Sequence, residues 1–456
     1  MGFDVQNAEV VVLGAGQSGQ AAAELLVSHG ARVILNDAAT IGPEGADRLR
    51  ALGVTLEIGP HRAERLTGAD LVVLSPGVSP AQPAVAAARR AGVPVIGDVE
   101  LASRWLTGRI IAITGTKGKS TTTSLTARML REAGVPATAG GNLGIALSAQ
   151  VAASRPDVIH VVEISSFQLE MTETFHPWVA VLMNLSPDHL DRHASFEDYA
   201  DAKRRIFRNQ TADDWAVINA DDPQALALAR DARARRLDFA LEASVTEGVT
   251  VEDGAIVRRT DRQAVPLLPV ASVRLPGRHL LTDVLAAAAV GCVAGVPPAA
   301  MRRAVEGFTG LEHTLERVGE LEGVRFINDS KATNIAAARR AIESFDGGVV
   351  AIMGGRYKGG DFADLQSVAG ARADAVVTIG EASEQIRAAL EAIVPVHPAA
   401  TMADAVRRAF ALARPGGVVL LAPACSSFDM FTDYAARGRA FRKAVLQLAM
   451  ERGRVE

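Results

Sequence analysis

Short apolar runs rich in Val, Ile and Leu, each followed by a stretch with helical spacing, recur along nearly the whole chain and leave it few architectures. Val10–Leu13, Val33–Leu35, Leu71–Leu74 and Val93–Ile96 make one set. Ile110–Thr114, Val158–Ile164, Val179–Asn184 and Ala216–Asn219 make a second, and Val324–Asn328, Val349–Met353, Ala375–Ile379 and Val418–Leu421 a third. Runs that are apolar on both faces and joined by helices are strands of parallel sheets covered on each side. Between residues 235 and 275 the helical spacing gives way to short alternations such as Val249–Val251 and Ala255–Arg258, which predicts a small β appendage on the second set. A chain of 456 residues is too long for one ordinary core. The expected fold is α/β in three domains: a Rossmann-like unit over 1–98, a central unit with the appendage over 99–310, and a second Rossmann-like unit over 311–456.

Composition narrows the function classes. A net charge of -4, with 48% hydrophobic and 22% charged residues, describes a globular protein without the basic excess that nucleic acid demands. Cys292 and Cys425 have neither disulfide-framework nor metal-site spacing, which suits a reducing cytosol. The opening MGFDVQNAEVVVLGAG puts acids, not a basic segment, ahead of its apolar run, so it reads as a first strand and not a signal peptide. Val284–Val296 is the most apolar segment but stops at Pro297-Pro298, short of the roughly 20 residues a membrane span needs, and reads as a buried helix. The expectation is a cytoplasmic, monomeric protein whose partners are small molecules.

Ile110–Thr114 runs into Gly115-Thr116-Lys117-Gly118-Lys119-Ser120-Thr121, a strand, a glycine turn and a helix start. Such a turn aims free backbone N–H groups and the positive end of a helix at phosphate. Lys119 can reach the β and γ phosphates, and Ser120 can offer its hydroxyl to Mg²⁺. The spacing departs from the full phosphate-loop pattern, whose first glycine would fall at Ile113, but the context makes the central unit P-loop ATPase-like. Glu163, near the end of its strand, precedes Ser165-Ser166-Phe167-Gln168-Leu169-Glu170. An acid inside an apolar strand is costly unless paired or metal-bound. The next strand leads to Asp188-His189-Leu190-Asp191, so His189 falls beyond the carboxyl edge of the sheet, where open parallel sheets bind ligands. Ser120, Glu163 and His189 could together hold Mg²⁺ between ATP and a carboxylate acceptor, although His189 taken alone reads as a surface histidine.

Lys203 belongs to a predicted helix over Phe196–Phe207, where its neighbours three and four positions away are Tyr199, Ala200, Ile206 and Phe207. None is an acid. Either burial lowers its pKa and leaves a reactive neutral amine, or the side chain snorkels to solvent. Gly14-Ala15-Gly16-Gln17-Ser18-Gly19, with Asp37 ending the second strand, has the arrangement of a dinucleotide site. The same turn accepts any pyrophosphate at a helix end, so UDP fits it as well as NAD, and Ser75-Pro76-Gly77 would face the same crevice.

Taken in order, Gly115–Ser120, Glu163–Glu170, Asp188–Asp191, Asn328-Asp329-Ser330-Lys331-Ala332-Thr333-Asn334 and Ser426-Ser427-Phe428-Asp429 resemble the Mur ligases, and the NDSKATN segment resembles their D-glutamate-adding branch. The resemblance implies an ATP- and Mg²⁺-dependent ligase of peptidoglycan precursor synthesis, acting on UDP-N-acetylmuramoyl-L-alanine and D-glutamate. It implies that Gln17, Ser18, Asp37, Ser75, Pro76, Gly77 and Asn142 hold the UDP substrate. It places ATP on Gly115, Thr116, Lys117, Gly118, Lys119, Ser120, Thr121, Asp283 and Asp329, and the metals on Ser120, Glu163, His189 and Lys203. Lys203 matches the lysine that the family carbamylates, a change that would turn a cation into an anionic metal ligand. Thr333, Lys358, Ser427, Phe428 and Tyr434 map to D-glutamate, and Lys119, His189, Lys203 and Lys331 to catalysis. Leu280 and Asp283 stand where the family usually shows asparagines, Thr314 where arginine is usual, and Tyr434 where phenylalanine is common.

Three rival readings stand beside this one. A different ligase of the superfamily, such as a folylpolyglutamate synthase, is disfavoured by SSFQLE and NDSKATN. A nicotinamide oxidoreductase would rest on Gly14–Gly19 and Asp37 and leave the phosphate loop, Glu163 and Lys203 unexplained. A non-catalytic nucleotide-binding regulator draws only on the departures at Leu280 and Thr314.

Overall fold

In the computed structural model, which describes residues 3–38, 41–189, 192–261, 263–273, 278–308, 310–357 and 359–453, three sheets follow one another along the chain. The first contains β1 (Glu9–Leu13), β2 (Arg32–Asp37), β3 (Thr55–Ile58), β4 (Leu71–Leu74) and β5 (Val95–Gly97), all parallel, in the order β3-β2-β1-β4-β5. Strand order reverses between the parallel neighbours β1 and β4, and that switch point brings the Gly14 turn beside Ser75. β3 is the strand that apolar runs alone do not reveal, because Thr55 and Glu57 interrupt it at the sheet edge.

The central sheet is built from β6 (Arg109–Thr114), β7 (Ala137–Gly141), β8 (Ile159–Glu163), β9 (Val179–Leu182), β10 (Trp215–Asn219), β11 (Arg235–Phe239), β12 (Gly248–Glu252), β13 (Ala255–Arg259) and β14 (Ala264–Pro269). Its order is β14-β13-β12-β11-β10-β9-β6-β8-β7. The β-rich stretch expected as an appendage continues this sheet: β11 and β12 pair in parallel, and β12, β13 and β14 close its edge as antiparallel hairpins. Parallel β6 lies between β8 and β9, with Ile113 opposite Glu163 and Thr114 opposite Leu182. The apolar segment near Val284 lies in the helix Arg278–Val293, where Val284 to Val290 are buried. Among the described residues no helix is long and apolar enough to cross a membrane.

These two sheets belong to one compact unit and share a core in which Val12, Leu26, Val99, Leu101, Ala112, Leu169 and Tyr199 belong to one cluster. Polar groups join them as well. Gln168 completes a capping box with Ser165 at the start of the helix Ser166–Glu170 and donates from its amide to Asp98 at 3.2 Å. Glu100, fully buried, accepts the backbone N–H groups of Glu173, Thr174 and Phe175, the Thr174 hydroxyl, and Arg104.

The second compact unit, from Phe308 onward, carries β15 (Glu316–Leu321), β16 (Val324–Asn328), β17 (Val349–Gly354), β18 (Ala373–Ile379), β19 (Val396–Pro398) and β20 (Val418–Leu421) in the order β15-β16-β20-β17-β18-β19. Only β15 is antiparallel to its neighbour. Apolar side chains cover both faces, in clusters around Ile342 and Leu420 on one side and Phe326 and Val406 on the other. The division at residues 98 and 310, one sheet to each part, is our proposal for the domains.

Burial pushes the Glu100 carboxyl up, but its hydrogen bonds from Thr174, Glu173 and Arg104 together hold it below the ordinary glutamate value. A lowered folded-state pKa gives stability that is present above the unfolded value and lost as pH falls through the folded one. Glu100→Gln is expected to lose about 2 kcal/mol of stability at pH 7, with a smaller deficit below about pH 4, as read by thermal unfolding at both pH values.

Candidate active site

Strand pairing brings the predicted phosphate loop and its neighbours to one edge. Gly115 leaves β6 at φ 151° and packs so closely on the 183–184 backbone that a Cβ would lie 2.7 Å from the Met183 Cβ. Gly118 caps the helix Lys119–Glu132 in the left-handed region, at φ 82°. The side chain of Asn184, just past β9, pins the loop by accepting from the Lys117 N–H at 2.8 Å and donating to the Lys117 carbonyl at 3.1 Å. The Thr116 hydroxyl meets the Tyr199 hydroxyl at 2.9 Å. Lys119 folds back on its own loop, donating to the Gly115 and Thr116 carbonyls at 3.0 Å.

At the end of β8, Glu163 is 3% exposed. It accepts from the Ser120 hydroxyl at 2.5 Å and from the Asn142 amide at 2.8 Å. Asn142 stands there because Gly141, its predecessor, is in register with Glu163. Expected on the UDP substrate, Asn142 is thus also a partner of the proposed metal ligand.

Lys203 settles between its two sequence readings. It is 2% exposed and donates to the Gly115 carbonyl at 2.9 Å and to the Thr114 hydroxyl at 3.3 Å, with its amine over the Tyr199 ring. Burial, reinforced by Lys119, lowers its pKa well below the ordinary lysine value; Asp188 and Glu163 pull the other way. His189 stands exposed on the loop past β9 at φ 55°, with its ring edge on Phe167 at 4.9 Å. Leu190 and Asp191 of that motif lie outside the described residues.

Asp283 reaches the phosphate loop from the helix Arg278–Val293: a Cβ on Gly118 would lie 2.2 Å from its carboxylate oxygen, and Thr121 hydrogen-bonds to it. Burial raises its pKa well above the ordinary carboxylate value. That favours the neutral acid, which offers one donor and one acceptor much as the usual asparagine amide does.

At the first sheet's switch point, Asp37 accepts the Ala15 N–H at 2.5 Å and Ser75 donates to the Gly14 carbonyl at 2.8 Å. Gln17 and Ser18 open the helix Gln17–Ser28, and Ser18 hydrogen-bonds to Asp98, whose carboxyl burial raises to about 6. Pro76 and Gly77 follow on the turn.

Two residues that sequence reasoning passed over hold this region together. Arg192 stacks on Phe167 and donates to the Val78 and Pro76 carbonyls, at 3.1 and 3.5 Å. His193 is buried between Phe167 and Tyr199 and hydrogen-bonds to Ser166 at 3.0 Å. Their nearness to His189 in the sequence was the only available signal.

In the second unit, Asp329 follows β16, accepts the Leu315 N–H, and is raised by burial to about 7. Lys331 and Thr333 lie on the loop before the helix Ile335–Glu343, which Asn334 caps. Ser427 is buried on the loop past β20, whereas Phe428 is 63% exposed and Tyr434 is also exposed. Lys358 lies outside the described residues.

Family models match nearly the length of the chain: the MurD-like N-terminal domain of Mur ligases over 8–97, the Mur ligase middle domain over 113–291, and the Mur ligase glutamate ligase domain over 315–425. A protein of Acidobacterium capsulatum named UDP-N-acetylmuramoylalanine–D-glutamate ligase is 45% identical, over 97% of each chain. One of the same name from Koribacter versatilis is 42% identical, over 98% of this chain and 99% of its own. Among solved structures, the UDP-N-acetylmuramate-alanine ligase of Thermotoga maritima aligns with a TM-score of 0.62 at 19% identity, over 97% of this chain and 100% of that one. The MurF ligase of the same organism in complex with ADP aligns at 0.56 and 17%, over 98% and 96%. At such identity the two structures speak for the fold.

A buried amine kept for packing would be missed on removal, whereas one kept for chemistry against its desolvation penalty would not. Lys203→Met is expected to melt at the wild-type temperature or roughly 2–4 °C above it. It should also lose the part of wild-type stability that grows as pH rises toward the ordinary lysine value. A lower melting temperature at neutral pH would make Lys203 a structural donor.

Proposed function

The chain belongs to the Mur ligase family, and on that premise we propose that it is the ATP-dependent ligase that joins UDP-N-acetylmuramoyl-L-alanine to D-glutamate in cytoplasmic peptidoglycan precursor synthesis. The observation that carries the reading is the meeting of the Ser120 hydroxyl, the buried Glu163 carboxylate and the buried Lys203 amine around one phosphate loop. The names of relatives above 40% identity support the choice of substrates.

A carboxylate is a poor electrophile at neutral pH, and amide formation in water is uphill, so the acceptor must be activated. The L-alanyl carboxylate attacks the γ-phosphate and ADP departs, leaving an acyl phosphate. The D-glutamate amine then adds to that carbonyl, and inorganic phosphate leaves with the bonding pair as the amine gives up its proton. The loop N–H groups and Lys119 receive the triphosphate and offset the charge gathering at the transferred group.

Glu163, a buried carboxylate answered by the neutral Ser120 and Asn142 side chains, and the Ser120 hydroxyl form a hard-oxygen set that fits Mg²⁺. Among the described residues no group of three His, Cys, Asp or Glu forms a cage by itself, so substrate oxygens would complete the shell. Mg²⁺ bound there supplies charge stabilisation to the triphosphate. His189 serves the same region from its loop. Burial lowers the Lys203 pKa and so favours the neutral amine, the form that adds to carbon dioxide with loss of a proton to give a carbamate, an anionic oxygen ligand where a cation would repel the ion.

Gln17, Ser18, Asp37, Ser75, Pro76, Gly77 and Asn142 are the proposed hold on the UDP substrate, and Asp283 and Asp329 join Gly115–Thr121 on ATP. Lys331 acts in catalysis on the D-glutamate side, with Thr333, Lys358, Ser427, Phe428 and Tyr434 holding the amino acid.

Phosphate release from ATP is expected to require UDP-N-acetylmuramoyl-L-alanine and D-glutamate together; release indifferent to either would remove the reading. Lys203→Ala is expected to lose turnover by about 100-fold or more and to regain part of it with formate or acetate, which supply the carbamate's charge in trans. Wild-type turnover in that variant would reject the carbamate.

A further inference from the structure

Arg437, on the helix Tyr434–Arg452, is the largest fully buried side chain among the described residues, at 1% exposure. Its guanidinium donates to neutral oxygens: the Ser330 hydroxyl and carbonyl at 3.0 Å, the Cys425 carbonyl at 3.1 Å and the Gly354 carbonyl at 3.4 Å. Asp429 acts on it through space. A cation in this position is expensive, and packing alone would be served better by an apolar residue of the same volume.

The geometry of its acceptors shows what the cation does. Ser330 and Cys425 lie just past the carboxyl ends of β16 and β20, and Gly354 is the last residue of β17; the three are adjacent parallel strands. The three loops that follow them carry Lys331 and Thr333, Ser427 and Phe428, and the glycine turn that leads to residue 358. Backbone bonds tie them in pairs: Ala424 N–H to the Ala332 carbonyl at 3.0 Å, and Arg356 with Ser426 in both directions at 2.9 and 3.0 Å. The guanidinium touches all three loops at once. Gly355 at φ 129° keeps the approach open, since a Cβ there would lie 3.1 Å from an Arg437 nitrogen and 2.1 Å from the Ser426 carbonyl oxygen. Gly438, the next residue, leaves room for the buried His313 ring.

We propose that Arg437 is a positioning residue for the amino-acid substrate: from beneath the sheet edge its planar, forked donors set the spacing of the three loops that hold D-glutamate. The proposal rests on the assignment of those loops to D-glutamate. Lysine keeps the charge but cannot span acceptors on three segments from one plane.

The test measures KM for each substrate and kcat in wild type, Arg437→Lys and Ser330→Ala, with melting temperatures. Arg437→Lys is expected to raise KM for D-glutamate by about 10- to 100-fold, with KM for ATP and for UDP-N-acetylmuramoyl-L-alanine within about twofold of wild type. Ser330→Ala, which removes one acceptor, should shift the same constant by about threefold and no other. Methylguanidinium added to Arg437→Gly should restore part of the D-glutamate affinity. A wild-type D-glutamate KM in Arg437→Lys or Ser330→Ala overturns the proposal, as does an equal change in every constant with a depressed melting temperature. Wild-type enzyme that turns over another amino acid in place of D-glutamate fails the functional reading itself, and is told apart because it appears before any substitution.

Discussion

Everything chemical in the first compact unit depends on one strand having the right neighbours. β6 ends in the phosphate loop, and because β8 and β9 flank it in parallel, Glu163 and Asn184 emerge one strand spacing to either side. Parallel strands in register release their chains at the same edge about 5 Å apart, which is the reach of a side chain. A carboxylate on one side and an amide that pins the loop on the other follow from pairing alone. An antiparallel neighbour would have sent one of them to the opposite edge.

Burial around that edge is what makes its groups unusual. Lys203 is denied water and a nearby carboxylate hydrogen bond, so its neutral amine is favoured, and Asp283 is denied water beside Gly118, so its neutral acid is favoured. The same principle acts in the second unit with the opposite outcome. Arg437 is equally buried yet is lowered only to about 10, which leaves it a cation at neutral pH, satisfied by carbonyl and hydroxyl oxygens. Lysine can shed its proton under such pressure, while a guanidinium keeps it. The first therefore suits chemistry that needs a free amine, and the second suits holding parts in place.

Much of the fold was legible because strands covered on both faces leave unbroken apolar runs. The strands that escaped notice, β3, β7, β15 and β19, each lie at a sheet edge, where Thr55, Gly140, Gly141, Glu320 and His397 blur the pattern. The stretch after residue 235 was read correctly as β structure, but whether it stood apart or extended the central sheet depended on β11 finding β10, a pairing that leaves no local trace. In the proposed site, Ser120, Glu163 and Lys203 could be singled out as candidates because each breaks an expectation: a glycine-rich turn after a strand, an acid in an apolar strand, and a lysine without an acidic neighbour three or four positions away.

Local order along the chain was enough to establish the alternation of strand and helix, the glycine turn after β6 and the kinds of residue available beside it, because backbone conformation and side-chain periodicity are short-range properties. Which groups meet was settled by folding: Asn142 with Glu163, Arg192 with Pro76 and Val78, and Arg437 with three loops that lie 83 to 107 positions away or as near as 12. Nothing in the sequence says which residues at those separations will meet. Strand order and burial create those meetings together, and burial is also what decides whether a lysine, an aspartate or an arginine keeps its ordinary charge.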